Sequence, residues 1–375
     1  MKDLLILGAT GSIGRSALDV VRAHPEHFRI VGLVAGRNAR LLAEAALEFD
    51  AGFVALADPT HVPALREHLA QASCSVFAGE RGVLECVASC GADLCLSAVV
   101  GSAGLLPTLA AVDAGMDLAL ANKEALVAAG HILTKRVRER GVRLLPVDSE
   151  HSAIFQCLGG AAPAAVRRLL LTASGGPFRG RSADELADVR PEDALSHPTW
   201  SMGDKITVDS ATLANKALEV IEAHWLFEMP YDRIDVVVHP QSLVHSLVEY
   251  VDGTTIAQLA VPDMRIPIQF ALSYPERLAS AWAHPDLCAA GTLAFEPPDR
   301  SAFPMLDLGY QAGRNGGAAP AVFSAANEEA VHAFLSARIG LPEIPTLVAA
   351  ALEALPTEDD GGLEGLLAMQ RRATA

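Results

Sequence analysis

A chain of 375 residues, 51% of them apolar, holds ample material for extensive cores, and disorder is excluded as its general state. The formal charge is −16, and the 29 lysines and arginines are scattered, so neither nucleic acid nor an anionic membrane is an expected partner. No apolar run reaches the roughly 18 residues of a membrane span, and the first residues lack a signal-peptide layout, which makes the cytoplasm the expected location.

Short apolar runs at 3–7, 30–35, 53–57, 94–100, 117–120 and 143–147 alternate with amphipathic stretches. That alternation predicts a parallel, doubly wound α/β sheet whose ligands sit beyond the carboxyl ends of the strands. Thr10-Gly11, Gly36-Arg37-Asn38, Gly101, Asn122-Lys123-Glu124 and Asp148-Ser149-Glu150 all fall at those ends. After residue 150 come helical stretches and Gly-rich loops, then strand-like alternation at 235–238, 242–250 and 254–260, the pattern of an α+β region with a sheet able to pair between subunits. A Pro-rich passage follows, and the remainder is mostly helical with a polar break at 356–362. The six cysteines form no C-x-x-C pair and read as reduced thiols.

The first strand leads into Gly8-Ala9-Thr10-Gly11-Ser12-Ile13-Gly14, a glycine loop opening a helix. Glycines there permit a tight turn and close approach of backbone to a pyrophosphate, held by the positive end of the helix. The spacing is G-x-x-G-x-x-G, so its position after the first strand carries as much weight as the motif. Where a dinucleotide site for NADH would often place an acid, this chain has Arg37 and Asn38, the chemistry a 2′-phosphate needs. NADPH is the expected nucleotide.

Asp148 and Glu150 are two apart in what reads as an extended stretch, so their carboxylates point to one side and repel unless a cation or proton lies between them. Oxygen donors without cysteine favour Mg²⁺ or Mn²⁺ over zinc. Alone, such a pair more often marks a solvated turn. Ser210 or Thr212 can cap a following helix on which Asn215, Lys216 and Glu219 share a face, a set that suits a metal-bound, phosphorylated substrate; an ordinary surface salt bridge is the plainer reading. Ser174 on the Gly175-Gly176 turn offers an anion site. His197, Trp200 and Met202 lie among helix-breaking neighbours, as a mobile lid would.

These segments, together with Ala121-Asn122-Lys123-Glu124, Pro146-Val147-Asp148-Ser149-Glu150-His151, His239-Pro240-Gln241-Ser242 and Pro262-Asp263-Met264-Arg265, make the chain closely resemble the 1-deoxy-D-xylulose 5-phosphate reductoisomerase family, in family order up to about residue 330. The resemblance implies an N-terminal Rossmann-like NADPH-binding domain over 1–148, a central α+β catalytic and dimerisation domain over 149–273 with a lid near 195–204, a linker at 274–304 and a C-terminal helical domain over 305–375. It further implies that Thr10, Gly11, Ser12, Ile13, Gly36, Arg37, Asn38, Asn122, Glu124 and Gly203 contact NADPH. Asp148, Glu150 and Glu219 would hold a divalent cation, Mg²⁺, Mn²⁺ or Co²⁺. Lys123, Ser149, Glu150, Ser174, His197, Trp200, Met202, Ser210, Asn215, Lys216 and Glu219 would meet the phosphosugar, with Lys123 and the three acids counted as catalytic. A homodimer is implied as well. The chain departs from the family's usual residues at Leu213-Ala214, where methionine is common, at Ala217, where glycine is common, and at Asp204, where a basic residue can occur; none of these is an implied ligand.

Two other readings fit parts of the pattern. A metal-dependent phosphosugar isomerase or aldolase that keeps a nucleotide for structure predicts turnover without NADPH consumption. An NADPH-sensing regulator explains the glycine loop and Arg37 but gives the acids and Lys216 no task.

Overall fold

The computed structural model describes residues 1–200, 202–355 and 362–374. Ser201 of the expected lid, and the polar break at 356–362 apart from Gly362, lie outside the described residues. Contacts divide the chain into two compact units: Met1–Ala125, Leu133–Asp148 and Asp263–Trp282 form the first, and Leu126–Ile132, Ser149–Pro262 and Ala283–Ala375 the second.

The first unit is built on a seven-stranded parallel sheet of Lys2–Leu7 (β1), Phe28–Ala35 (β2), Phe53–Leu56 (β3), Ser75–Ala78 (β4), Leu94–Ser97 (β5), Asp117–Leu120 (β6) and Leu144–Pro146 (β7), in the order β4-β3-β2-β1-β5-β6-β7. The alternating helices are Ser12–Ala23 (α1), Ala39–Glu48 (α2), Val62–His68 (α3), Gly79–Ser89 (α4), Leu105–Asp113 (α5) and Lys123–Arg140 (α6), the last with its Leu126–Ile132 stretch assigned to the second unit. Leu4, Leu5, Ile6 and Leu7 are all fully buried, as a central strand covered on both faces requires. The chain moves outward from β1 in one direction to β4, then returns to β5 on the other side of β1. That reversal opens a crevice at the carboxyl ends of β1 and β5. The edge strand β4 was not expected from sequence: four residues with no fully buried side chain carry little apolar signal.

Residues 263–282 were expected partly in the catalytic domain and partly in the linker, yet they belong to the sheet unit. Helix Arg265–Ser273, numbered α11 after the helices of the second unit below, is tied there by Lys2, whose Nζ donates to the carbonyls of Leu272 at 2.9 Å and Tyr274 at 2.7 Å, and by His24 against Gln269.

The second unit contains Ser149–Leu158 (α7), Val166–Ala173 (β8), Pro191–Ala194 (α8), Asp204–Thr212 (α9), Ala214–Phe227 (α10), Ile234–Val238 (β9), Val244–Tyr250 (β10), Thr255–Leu259 (β11), Leu287–Ala290 (α12), Met305–Asn315 (α13), Ala319–Leu335 (α14), Glu343–Ala354 (α15) and Leu363–Ala373 (α16). Its sheet runs β11-β10-β8-β9, antiparallel except for the β8–β9 pair. Strand β8 was missed in the sequence because Leu169-Leu170-Leu171 fits a buried helix as well as a strand. The C-terminal helices were expected to form a domain of their own. In the structure Met305, Leu306, Phe323 and Phe334 share one buried core with Leu218 and Ile221 of α10 and Leu169 and Leu171 of β8. No helix among the described residues is long and apolar enough to cross a membrane.

Candidate active site

In the first unit, Gly8 turns the chain out of β1 at φ +86°, and a Cβ there would lie 2.4 Å from the carbonyl oxygen of Ala98, just beyond β5. A Cβ on Gly14 would lie 2.3 Å from Gly8 O. Any larger residue at either position collides with backbone, so the loop presses against both itself and the mouth of the crevice. Gly11 is the N-cap of α1 in extended conformation, which leaves the first-turn N–H groups from Ser12 onward pointing out of the helix, an anion cradle. Arg37 is exposed after β2, and Asn38 caps α2 by accepting from Leu41 N at 3.0 Å. The residues present therefore fit a dinucleotide.

Asn122, almost fully buried, caps α6 by accepting from Ala125 N at 2.8 Å, and its Nδ2 donates to Gly101 O at 2.9 Å and to Val99 O. It welds the loops after β5 and β6 together. Glu124 is buried beside it, with Oε2 3.3 Å from Asn122 Nδ2. The Lys123 ammonium, also buried, pairs with Asp148 at 2.6 Å.

In the second unit, Leu213 in left-handed conformation (φ 62°) breaks α9 from α10. Leu213, and neither Ser210 nor Thr212, is thus the N-cap of α10, although Ala214 N donates to Thr212 Oγ1 at 3.3 Å. The break sets Asn215, Lys216 and Glu219 in the opening turns of α10, on one face as expected. Glu150 does not lie in an extended stretch: it sits in the first turn of α7, because the helix begins at Ser149 directly after the strand-end residues. Asp148 and Glu150 are therefore not related by strand alternation, and helix geometry aims Glu150 instead.

Lys216 Nζ donates to Glu150 Oε1 at 2.7 Å and to Glu219 Oε2, while Asn215 Nδ2 donates to Glu219 Oε1 at 2.5 Å and Ser149 Oγ to Glu150 Oε2 at 2.5 Å. The Lys216 and Glu219 side chains are 3% and 1% exposed, too buried for an ordinary surface salt bridge. Two carboxylates meet at one ammonium, and their all-oxygen donor set fits a hard cation of the Mg²⁺ kind. His151, fully buried, ties α7 to α10: its Nε2 bonds to the backbone carbonyl of Glu219 at 2.9 Å and its Nδ1 lies 3.3 Å from Glu222 Oε2.

Ser174 ends up beside His197, with Oγ 3.0 Å from His197 Nε2 and accepting from Gly176 N at 3.1 Å. His197 Nδ1 accepts from the backbone N–H groups of Thr199 at 3.2 Å and Trp200 at 3.0 Å, so Nδ1 is unprotonated and Nε2–H faces Ser174. Burial lowers the His197 pKa, in keeping with a neutral ring. Trp200 lies 6.1 Å, centroid to centroid, from His245, itself buried and held below its usual pKa by burial. Ser210 is on α9, half-buried, Met202 is half-buried before that helix, and Gly203 is its N-cap, in the second unit rather than with the other implied nucleotide contacts.

Sequence reading gave no task to His151, Glu222 or His245. His151 stands next to Glu150, but nothing in its neighbourhood in sequence signals a bond to a carbonyl 68 residues away. Burial pushes the Cys86 thiol up to about 12 and Cys157 to about 11, which keeps these two protonated.

A doubly wound unit with a glycine cradle and a second unit with a buried carboxylate–ammonium cluster define a nucleotide-dependent enzyme equipped for a divalent cation. Three family models match the chain: 1-deoxy-D-xylulose 5-phosphate reductoisomerase over residues 4–130, its C-terminal domain over 144–227, and the DXP reductoisomerase C-terminal domain over 259–375. The chain belongs to the 1-deoxy-D-xylulose 5-phosphate reductoisomerase family. It is 52% identical to the reductoisomerase of Chlorobium phaeobacteroides strain BS1 over 373 residues, covering 100% of this chain and 98% of that one. Among solved structures it is similar to the Zymomonas mobilis enzyme in complex with NADPH, with TM-score 0.94, 44% identity and coverage of 100% and 97%. It is similar also to a DOX-P reductoisomerase in complex with NADPH, fosmidomycin and magnesium, with TM-score 0.94, 40% identity and the same coverage.

Proposed function

We propose that this chain carries out the NADPH- and divalent-cation-dependent rearrangement and reduction of 1-deoxy-D-xylulose 5-phosphate to 2-C-methyl-D-erythritol 4-phosphate, in isoprenoid precursor biosynthesis, with the residues above in the following roles. The observation that carries this reading is the Glu150–Lys216–Glu219 cluster around a buried ammonium, in a chain that also carries the glycine cradle.

Thr10, Gly11, Ser12 and Ile13 hold the pyrophosphate through backbone at the start of α1, Gly36, Arg37 and Asn38 take the 2′-phosphate, and Asn122, Glu124 and Gly203 complete the NADPH site. Asp148, one residue before α7, joins Glu150 and Glu219 as the third carboxylate for the cation, Mg²⁺, Mn²⁺ or Co²⁺. When bound, that ion supplies Lewis-acid polarisation of the substrate oxygens. Lys123, fixed by Asp148, orients the reacting end of the sugar with Ser149. Ser174, Ser210, Asn215, Lys216 and His197 bind its hydroxyls and phosphate; because His197 Nε2–H and Gly176 N–H both point at Ser174 Oγ, the Ser174 hydroxyl proton is left to be donated to the phosphate. Trp200 and Met202 close over the sugar and exclude water. The antiparallel β10–β11 edge pairs two copies into a homodimer, and the enzyme works in the cytoplasm.

The test follows NADPH absorbance after adding 1-deoxy-D-xylulose 5-phosphate, with each cation, after chelation, and for Glu219→Gln. Cation-dependent oxidation that falls at least about a hundredfold in the variant supports the reading. Nucleotide binding without oxidation in any cation would overturn it.

A further inference from the structure

Asp209 lies on α9, after the lid residues and before α10, and its carboxylate is taken up by partners outside the residues assigned to the substrate. It is buried inside α9, where Oδ2 accepts from Lys205 Nζ at 2.8 Å, one turn earlier, and Oδ1 accepts from Asn327 Nδ2 of α14 at 2.8 Å. Asn327 is fully buried, and its own Oδ1 has no hydrogen-bond donor among the described residues. An apolar side chain would avoid that unfilled acceptor, so packing alone does not account for an amide here. What the amide provides is a donor to Asp209.

The consequence falls on the next residue. Neighbours on an α-helix are about 100° apart around its axis, so clamping Asp209 against α14 fixes the direction of Ser210. Ser210 is also where α9 meets the Ser174 turn: Gly176 takes φ +67°, and a Cβ on it would lie 2.8 Å from Ser210 O. The N-terminal end of α9 follows the lid residues Trp200 and Met202, and Thr207 Oγ1 donates back to Gly203 O at 2.8 Å. Beyond its C-terminal end, Leu213 turns the chain into Asn215 and Lys216. A nine-residue helix thus joins lid to phosphate-binding residues, and α14 is its anchor.

We propose that Asp209 and Asn327 are positioning residues: the Lys205–Asp209–Asn327 chain holds α9 at the azimuth from which Ser210 and the Ser174 turn together grip the substrate's phosphoryl group, an inference that rests on the reaction assigned above. Neither residue touches substrate. Their effect passes through Ser210.

The experiment is a double-mutant cycle of Asn327→Ala and Ser210→Ala. Asn327→Ala is expected to raise KM for 1-deoxy-D-xylulose 5-phosphate about tenfold, the size of one lost hydrogen bond, with kcat and the KM for NADPH within about twofold of wild type. In the Ser210→Ala background the same change adds less than about twofold, because the contact it serves is gone. Asn327→Ser, which keeps a donor, recovers part of the loss. If Asn327→Ala fails to fold, Lys205→Met approaches Asp209 from the more exposed side and gives the same pattern. Equal effects in both backgrounds, or kcat and NADPH affinity falling together, would overturn the proposal as a merely structural role. Inorganic phosphate binding by wild type and variants, read by thermal shift, applies the same cycle without turnover. Wild type that binds phosphate but oxidises no NADPH would count against the reaction alone, while phosphate affinity unchanged in Asn327→Ala would count against the positioning role alone.

Discussion

Lys216 Nζ donates to Glu150 Oε1 at 2.7 Å, joining the first turns of α7 and α10. With Glu219 Oε2 on the same ammonium, the lysine occupies the spot where the two acids converge. An ammonium and a divalent cation placed at the same carboxylates compete for them.

The competition has a measurable form. Lys216→Met leaves the buried Glu219 carboxylate facing the half-buried Glu150 without their shared ammonium, and removing the partner of a buried charge costs up to about 3–5 kcal/mol. Without divalent ions the variant is expected to melt well below wild type. Added Mg²⁺ should then raise its melting temperature by more than it raises that of wild type. Equal shifts in the two proteins would show that ammonium and cation do not share these acids.

His197 gives a pH-dependent signature. Burial lowers its pKa from 6.5, so on acidification the unfolded chain takes up a proton before the folded one does. The ring's contribution is fully present above pH 6.5 and is lost as the pH falls through the lower, folded value. Protonation also removes the Nδ1 lone pair that receives the Thr199 and Trp200 N–H groups. His197→Asn keeps an acceptor near that position but does not titrate, and melting curves from about pH 7.5 to about pH 5.5 should fall less steeply for it than for wild type. Parallel curves would sink this assignment.

Ala217 is accommodated by a glycine on another helix. A Cβ on Gly309 of α13 would lie 2.4 Å from Ala217 Cβ, and both positions are in a closely packed core. Gly309→Ala is expected to destabilise by about 1–3 kcal/mol through overpacking. Adding Ala217→Gly should recover part of that despite a helix-propensity cost of about 1 kcal/mol. Denaturant unfolding of the four proteins measures the coupling, and strictly additive effects would remove the argument.

The positions of β1 to β3 and β5 to β7 along the chain, and the glycine loop after β1, were legible because each is a local pattern: apolar runs, helix-period spacing, glycines where backbone must approach backbone. The face shared by Asn215, Lys216 and Glu219 was legible for the same reason, since three- and four-residue spacing is a property of one helix. What was missed lacks such a signature. Strand β4 is a short, half-exposed edge, and Leu169-Leu170-Leu171 of β8 fits two conformations equally well until β9 and β10 flank it.

The sequence by itself thus determined the kind of chemistry this protein carries, through which donor, acceptor and charged groups it has and which of them share a local element. Tertiary structure alone decided what those groups face. It brought Lys216 to Glu150 across 66 residues and Asn327 to Asp209 across 118, placed Asp263–Trp282 with the first unit, and merged the C-terminal helices into the core of the second. The reason is physical: burial of apolar faces selects how elements stack, and the polar partners left inside must then satisfy one another regardless of their distance along the chain.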